Sequence, residues 1–67
     1  MPYVNIRITN EIVTTKQKAE LIEGVTTLFQ KLLNKNPATT FVIIDEVETV
    51  NWGIAGEQVS KRRLQKT

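Results

Sequence analysis

The run Thr40-Phe41-Val42-Ile43-Ile44 limits the fold of this chain more than any other stretch. It is β-branched and apolar on both faces, so neither face of the strand it forms can be left to water, and a strand of this kind is covered on both sides. A long pattern of helical spacing precedes it, and before that comes an alternating strand. Strand, helix and buried strand in that order form a βαβ unit, in which the two strands are parallel and the crossover is right-handed. The fold class expected is therefore α+β.

The first strand is read from Tyr3 to Thr9. Val4, Ile6 and Ile8 point one way, toward a helix, while Tyr3, Asn5, Arg7 and Thr9 point the other. That second set, with an aromatic and a cation, suits a partly buried or intersubunit face, and Arg7 is assigned to the interface or surface. Asn10 to Thr15 is a polar connection into a helix. Thr14 followed by Gln17 has the spacing of a capping box, in which hydroxyl and amide satisfy orphan backbone donors. From Lys16 to Asn34 the residues Ile22, Val25, Phe29 and Leu32, with Leu21 and Leu28 beside them, keep one face apolar. Gly24 interrupts this helix and is expected to mark a close helix–sheet contact. Asn34-Lys35-Asn36-Pro37 ends it, since the residue before proline is pushed out of the helical region. The second strand is expected over Thr39 to Val47. Asn51-Trp52-Gly53-Ile54-Ala55-Gly56 reads as a short hairpin, and Glu57 to Thr67 as one helical turn or a frayed tail, with residues 58–67 the part expected to fray.

Sixty-seven residues make a single domain, 1–67. The chain has no cysteine and no histidine. Disulfide frameworks, thiol nucleophiles, zinc sites of the usual ligand types and histidine-based triads are therefore excluded. The lack of cysteine fits a reducing cytoplasm, which is the expected location. No apolar run resembles a signal peptide or reaches the ~20 residues of a membrane span. The formal charge is +2, and its visible asymmetry is Lys61-Arg62-Arg63 with Lys66. A small DNA-binding dimer would need the segment after Pro37 to be helical, and Phe41 to Ile44 is a strand run, so nucleic acid and membrane partners are not expected. Two strands and one helix cannot cover both faces of a sheet. Copies of the chain should pair to extend the sheet to four strands, and sites in such assemblies tend to sit between subunits.

One further feature stands at the head of the first strand. Pro2 follows Met1 directly. If Met1 is removed, the chain begins with a secondary amine held by a five-membered ring and by the strand behind it. Such an amine, when neutral, can take a proton or attack a carbonyl. The plain alternative is that a proline at the start of a strand spends its missing N–H where no ladder bond is needed.

Taken together, these residues resemble the 4-oxalocrotonate tautomerase family, the small-subunit branch of the tautomerase superfamily. The likeness runs through nearly the whole chain: Pro2 behind Met1, the strand Tyr3 to Ile8, Lys16-Gln17-Lys18 leading into Leu21-Ile22-Glu23-Gly24-Val25, then Val42-Ile43-Ile44-Asp45-Glu46-Val47, and Asn51-Trp52-Gly53-Ile54-Ala55-Gly56-Glu57. The resemblance implies a βαβ subunit that dimerises into a four-stranded sheet, with three dimers forming a hexamer. It implies removal of Met1, Pro2 as general base, and no cofactor. It also implies the chemistry: the proline nitrogen takes a proton from a 2-hydroxydienoate and returns it to a distant carbon, giving the conjugated 2-oxo acid, as in aromatic degradation. An apolar pocket disfavours the charged amine and so lowers its pKa.

The chain departs from the family pattern at the groups that hold the substrate. An arginine expected in the loop after the first strand falls on Ile12 or Val13, and a second, early in the second strand of a neighbouring subunit, falls on Phe41. The aromatic that lines the pocket falls on Trp52. Ala55 stands where the hairpin commonly has glycine. The expected site is thus Pro2 as the catalytic group, with Trp52, Phe41 and Lys16 binding substrate; Arg62 and Arg63 are further replacement cations. Losing charge-assisted contacts weakens binding and leaves developing negative charge less stabilised. The expected activity is tautomerisation of a 2-hydroxydienoate or enol-pyruvate, weak on dicarboxylates. The alternative is a non-catalytic oligomer of the same fold with a binding or structural role.

Overall fold

The computed structural model describes residues 1–64. Its elements, in order, are strand β1 (Tyr3–Thr9), helix α1 (Thr15–Leu33), strand β2 (Phe41–Val47), the short strands β3 (Gly53–Ile54) and β4 (Glu57–Gln58), and helix α2 (Val59–Leu64). Two 3₁₀ turns, Pro37–Thr39 and Thr49–Asn51, flank β2. β1 and β2 are parallel, with Tyr3 beside Phe41 and each following pair in step to Thr9 beside Val47. The expected βαβ unit is present, with α1 as its crossover.

The sheet faces divide as the alternation requires. Val4, Ile6 and Ile8 are half-buried, together with Val42 and Ile44, and α1 packs against β2 on this side. Lys18 of α1 ion-pairs with Glu46 at the end of β2. The same Glu46 oxygen is shut off from solvent and has no well-directed hydrogen bond, so the pair fixes the start of the helix over the strand by charge. On the other face Tyr3, Phe41 and Ile43 lie open, with Asn5 and Arg7 both on Asp45, at 2.9 and 3.6 Å. β2 was expected to be covered on both faces; within one chain only the helix side is covered.

Helix α1 begins as its sequence predicts. The Thr14 hydroxyl accepts from the Gln17 amide at 3.0 Å, and the Gln17 side chain accepts from the Thr14 N–H at 2.9 Å, closing the capping box. The far end differs from expectation. Asn34 takes the left-handed conformation (φ 55°), and the Lys35 N–H reaches back to the Phe29 carbonyl at 3.4 Å. An asparagine cap therefore stops the helix, since its short polar side chain tolerates that conformation. Pro37 instead opens the next turn: Asn36 accepts from the Ala38 N–H at 2.9 Å and the proline fills the first position. That turn uses up Pro37–Thr39, which is why β2 starts at Phe41 and not at Thr39.

Gly24 does not mark a close helix–sheet contact. A Cβ there would meet nothing within 4 Å, although glycine inside a helix costs about 1 kcal/mol against alanine. Of the two readings for the C-terminal part, the described residues take the helical one, and residues 65–67 lie outside the described residues. β3 and β4 pair antiparallel, Gly53 beside Gln58 and Ile54 beside Glu57, and Val59–Leu64 continue as α2; Lys66 lies outside the described residues. The turn between the strands is Ala55-Gly56, with φ of 53° and 81°. Two positive φ values are what a two-residue hairpin turn needs for its twist to match the strands. Ala55 meets that need at a cost of roughly 1–2 kcal/mol.

Among the described residues no side chain, apolar or polar, is fully buried. The radius of gyration is 15.5 Å, against about 11 Å for a compact domain of this length. A lone chain of this shape has no core of its own. We therefore expect the thermal midpoint, followed by circular dichroism, to rise steadily with protein concentration over a hundredfold range; a midpoint independent of concentration would show a self-sufficient monomer. At fixed concentration, Ala55→Gly should stabilise the fold by about 1 kcal/mol, read from the denaturant midpoint.

Candidate active site

Pro2 precedes β1 and is half-buried. Its carbonyl accepts a hydrogen bond from the Phe41 N–H at 3.0 Å, which carries the parallel ladder one step past Tyr3 and fixes the terminus against the second strand. The Phe41 side chain stands on the open face, half-exposed beside Tyr3. Parallel pairing thus brings Pro2 and Phe41 together at the N-terminal edge of the sheet.

Trp52 and Lys16 lie at the other end. Both follow the C-terminal ends of their strands, Lys16 in the first turn of α1 and Trp52 beyond Val47. Seven-residue strands separate the two ends by about 20 Å. The Trp52 carbonyl accepts from the Val59 N–H at 2.8 Å, and the Gln58 side chain donates to the Val50 carbonyl at 2.9 Å. The hairpin and α2 are thereby stapled to the turn that carries the indole. Trp52 is half-buried, and its Nε1–H is shut off from solvent without a hydrogen-bond partner. An indole whose N–H serves nothing is held for its aromatic body.

The cations sort clearly. Arg62 pairs with Glu57 at 3.3 Å, and Arg63 pairs with Glu11 in the loop between β1 and α1. The two guanidiniums, with Ile54 and Val59, line a shallow cleft of about 190 Å³. Lys16 is exposed and makes no ion pair among the described residues. Ile12 is fully exposed and Val13 half-buried, so the loop itself offers an anion no charge beyond Glu11 and its arginine. Sequence reasoning missed Glu11 and Glu57 as arginine partners. Nothing in the spacing signals the Arg63–Glu11 pair, because α2 meets the loop only through the fold; Glu57 is five residues before Arg62, across the junction of β4 and α2. The described residues contain no cluster of three metal-ligating side chains.

A family described as "Tautomerase enzyme" matches residues 2–62. The chain belongs to the tautomerase family. Members are isomerases that interconvert keto and enol forms, so this chain is an enzyme of that class. It is 66% identical to a probable tautomerase K2 of Dickeya dadantii over 65 residues, covering 97% of each chain. It is 49% identical to a probable tautomerase of Helicobacter pylori, covering 94% of this chain and 96% of the relative. Among solved structures, the crystal structure of DmpI from Helicobacter pylori matches with a TM-score of 0.88 at 48% identity, over 98% of this chain and all of the other. TomN, a 4-oxalocrotonate tautomerase homologue of the tomaymycin biosynthetic pathway, matches with a TM-score of 0.91 at 21% identity, over 98% and 100%, a likeness of fold alone. The membership places the tautomerase's βαβ subunit and hairpin within a known architecture.

The indole supplies a direct test of its role in packing. Trp52→Phe keeps an aromatic ring while removing the unpartnered N–H and part of the indole, and should cost about 1 kcal/mol, whereas Trp52→Ala should cost about 3 kcal/mol in chemical denaturation.

Proposed function

We propose that this tautomerase uses Pro2, freed by removal of Met1, as the general base of a cofactor-independent keto–enol tautomerisation. The observation that supports this most is the place of Pro2, fixed at the head of β1 by the bond from Phe41 to its carbonyl and flanked by an open aromatic. While Met1 is attached, the proline nitrogen is a tertiary amide with no basicity. Once free, it is a secondary amine whose ring and strand leave its lone pair little choice of direction. Apolar neighbours disfavour the charged form, so a larger fraction is neutral and able to accept a proton at neutral pH.

The substrate is a 2-hydroxydienoate or an enol-pyruvate. The nitrogen takes the enol proton, electron density moves along the conjugated system, and the ammonium returns the proton to the distal carbon to leave the 2-oxo acid. Substrate and product are isomers, so no oxidant or cofactor enters. Phe41 and Trp52 wall the pocket, and Lys16 meets the carboxylate. Because Trp52 and Lys16 sit about 20 Å from Pro2 in their own chain, these groups come from another copy. The site is therefore intersubunit, in a homo-oligomer of four-stranded dimers, three of which make a hexamer. A 4-oxalocrotonate tautomerase of Chloroflexus aurantiacus with a similar fold is described as a heterohexamer.

With Arg62 and Arg63 each held by a carboxylate, Lys16 is the one candidate cation of the site without a carboxylate partner among the described residues. Monocarboxylates such as phenylenolpyruvate should then turn over better than dicarboxylates such as 2-hydroxymuconate. The same shortage of free guanidiniums favours a second reading, a non-catalytic assembly of this fold. The two readings part on one set of measurements. Intact mass should show loss of Met1, and a 3-halopropiolate should add once, at Pro2, with parallel loss of activity. Pro2→Ala should lower kcat/KM on phenylenolpyruvate at least a hundredfold. A protein with free Pro2 that neither labels nor turns over either enol would establish the non-catalytic reading.

A further inference from the structure

We propose that Glu11 is a specificity-determining residue of this tautomerase. By holding Arg63 it denies a guanidinium to the second carboxylate of a dicarboxylate and so selects monocarboxylates, a role that rests on Pro2 being the general base and on substrate being held by Trp52 and Lys16.

The Arg63–Glu11 pair joins the two elements that carry those binding residues. On one side is α2. Its first residue, Val59, donates its N–H to the Trp52 carbonyl at 2.8 Å, so the helix starts against the turn that bears the indole. Arg63 follows Val59 by four residues, one turn on along the same face of the helix, and both line the cleft with Ile54 and Arg62. On the other side is the loop between β1 and α1. Glu11 reaches Arg63 from this loop, which runs on through Ile12 and Val13 to Lys16 in the first turn of α1. The guanidinium is thus held between the element that anchors the indole and the loop that leads to the lysine.

Stability does not account for the pair. The Arg63 and Glu11 side chains are 50% and 55% exposed, and a pair so open to water adds little to a fold. Both elements are fastened without it. The Val59 bond and the contact of Arg62 with Glu57 at 3.3 Å hold α2 to the hairpin. Asn10 holds the loop, its backbone N–H donating to the Val47 carbonyl at 2.8 Å and its side chain to Glu48 at 2.6 Å.

What the pair does change is the charge of the cleft. Two guanidiniums beside Ile54 and Val59, around a space of about 190 Å³, have the composition of a carboxylate site with an apolar wall. Glu57 and Glu11 cancel that charge, and of the two only Glu11 comes from outside the hairpin and α2. Glu11 is also the only charged residue between Thr9 and Lys16, so no other residue of the loop can take its place. A monocarboxylate needs one cation, which Lys16 supplies. A dicarboxylate brings a second carboxylate, and Glu11 both fills the fork of Arg63 and repels the newcomer.

Acids that lack an enol separate binding from chemistry. The probes are cis,cis-muconate, with two carboxylates, and cinnamate, with one, titrated by calorimetry in about 0.1 M salt, where charges more than about 10 Å apart are screened. Glu11→Gln should bind muconate about tenfold more tightly than the native protein, with cinnamate unchanged. Adding Arg63→Gln should abolish the gain. Glu23→Gln makes the same change of charge on α1 and should alter neither affinity. In turnover, Glu11→Gln should lower KM for 2-hydroxymuconate by a like factor at unchanged kcat and leave phenylenolpyruvate as it was. A merely structural role for Glu11 would move both acids together. Unaltered muconate affinity in Glu11→Gln, or a gain that survives Arg63→Gln, would overturn the proposal. A protein that labels at Pro2 and turns over phenylenolpyruvate without the muconate gain keeps its base and loses the role of Glu11. One that shows the gain with an inert Pro2 keeps Glu11 as a selector of bound acids and loses the catalytic reading.

Discussion

The parallel register of β1 on β2 is the constraint from which the rest of this structure follows. Tyr3 beside Phe41 and Thr9 beside Val47 require a crossover the length of the strands, and α1 supplies it. The same register carries the Pro2 carbonyl onto the Phe41 N–H, so the terminus is held by the ladder itself. It also sends everything after Val47, including Trp52 and α2, to the opposite end of the sheet. Proline and indole therefore stand at opposite ends of the sheet within one chain.

A chain of this length buries a small fraction of its surface and is only marginally stable without disulfides, metals or partners. This one has no fully buried side chain among its described residues and no cysteine. Its apolar residues are distributed over a covered sheet face, an open sheet face and the side of a helix. The strained Ala55 and the interior Gly24 both lower the stability of the isolated subunit. Within the described residues of one chain no buried core offsets these costs.

The charges are arranged for structure before they are available for substrate. Arg7 is held by Asp45, Arg62 by Glu57 and Arg63 by Glu11. Exposed pairs of this kind contribute little stability, but each occupies a guanidinium that would otherwise be free to clamp a carboxylate. These three guanidiniums are thus already engaged within the subunit.

The local elements were legible in the sequence. Period-two alternation over Tyr3 to Thr9, the Thr14–Gln17 box and the doubly apolar Phe41 to Ile44 each depend on neighbours a few residues away, so composition and spacing were enough for the βαβ unit and the hairpin, while the family came from the resemblance of whole segments in their order. The errors were also local in origin. Asn34 and Pro37 both signal a helix stop, and spacing does not say which residue takes the left-handed cap; Gly24 looks the same in sequence whether it faces its own sheet or open space. The expected site residues were found at strand ends, as two groups, Pro2 with Phe41 and Trp52 with Lys16. The separation of those groups and the capture of Arg62 and Arg63 by Glu57 and Glu11 came only from the tertiary structure. The strand-end separation and the Arg63–Glu11 pair join residues far apart in the chain, and no period in the sequence encodes the distance between them; Glu57 lies only five residues from Arg62, but at a spacing that bridges β4 and α2 and matches no regular period.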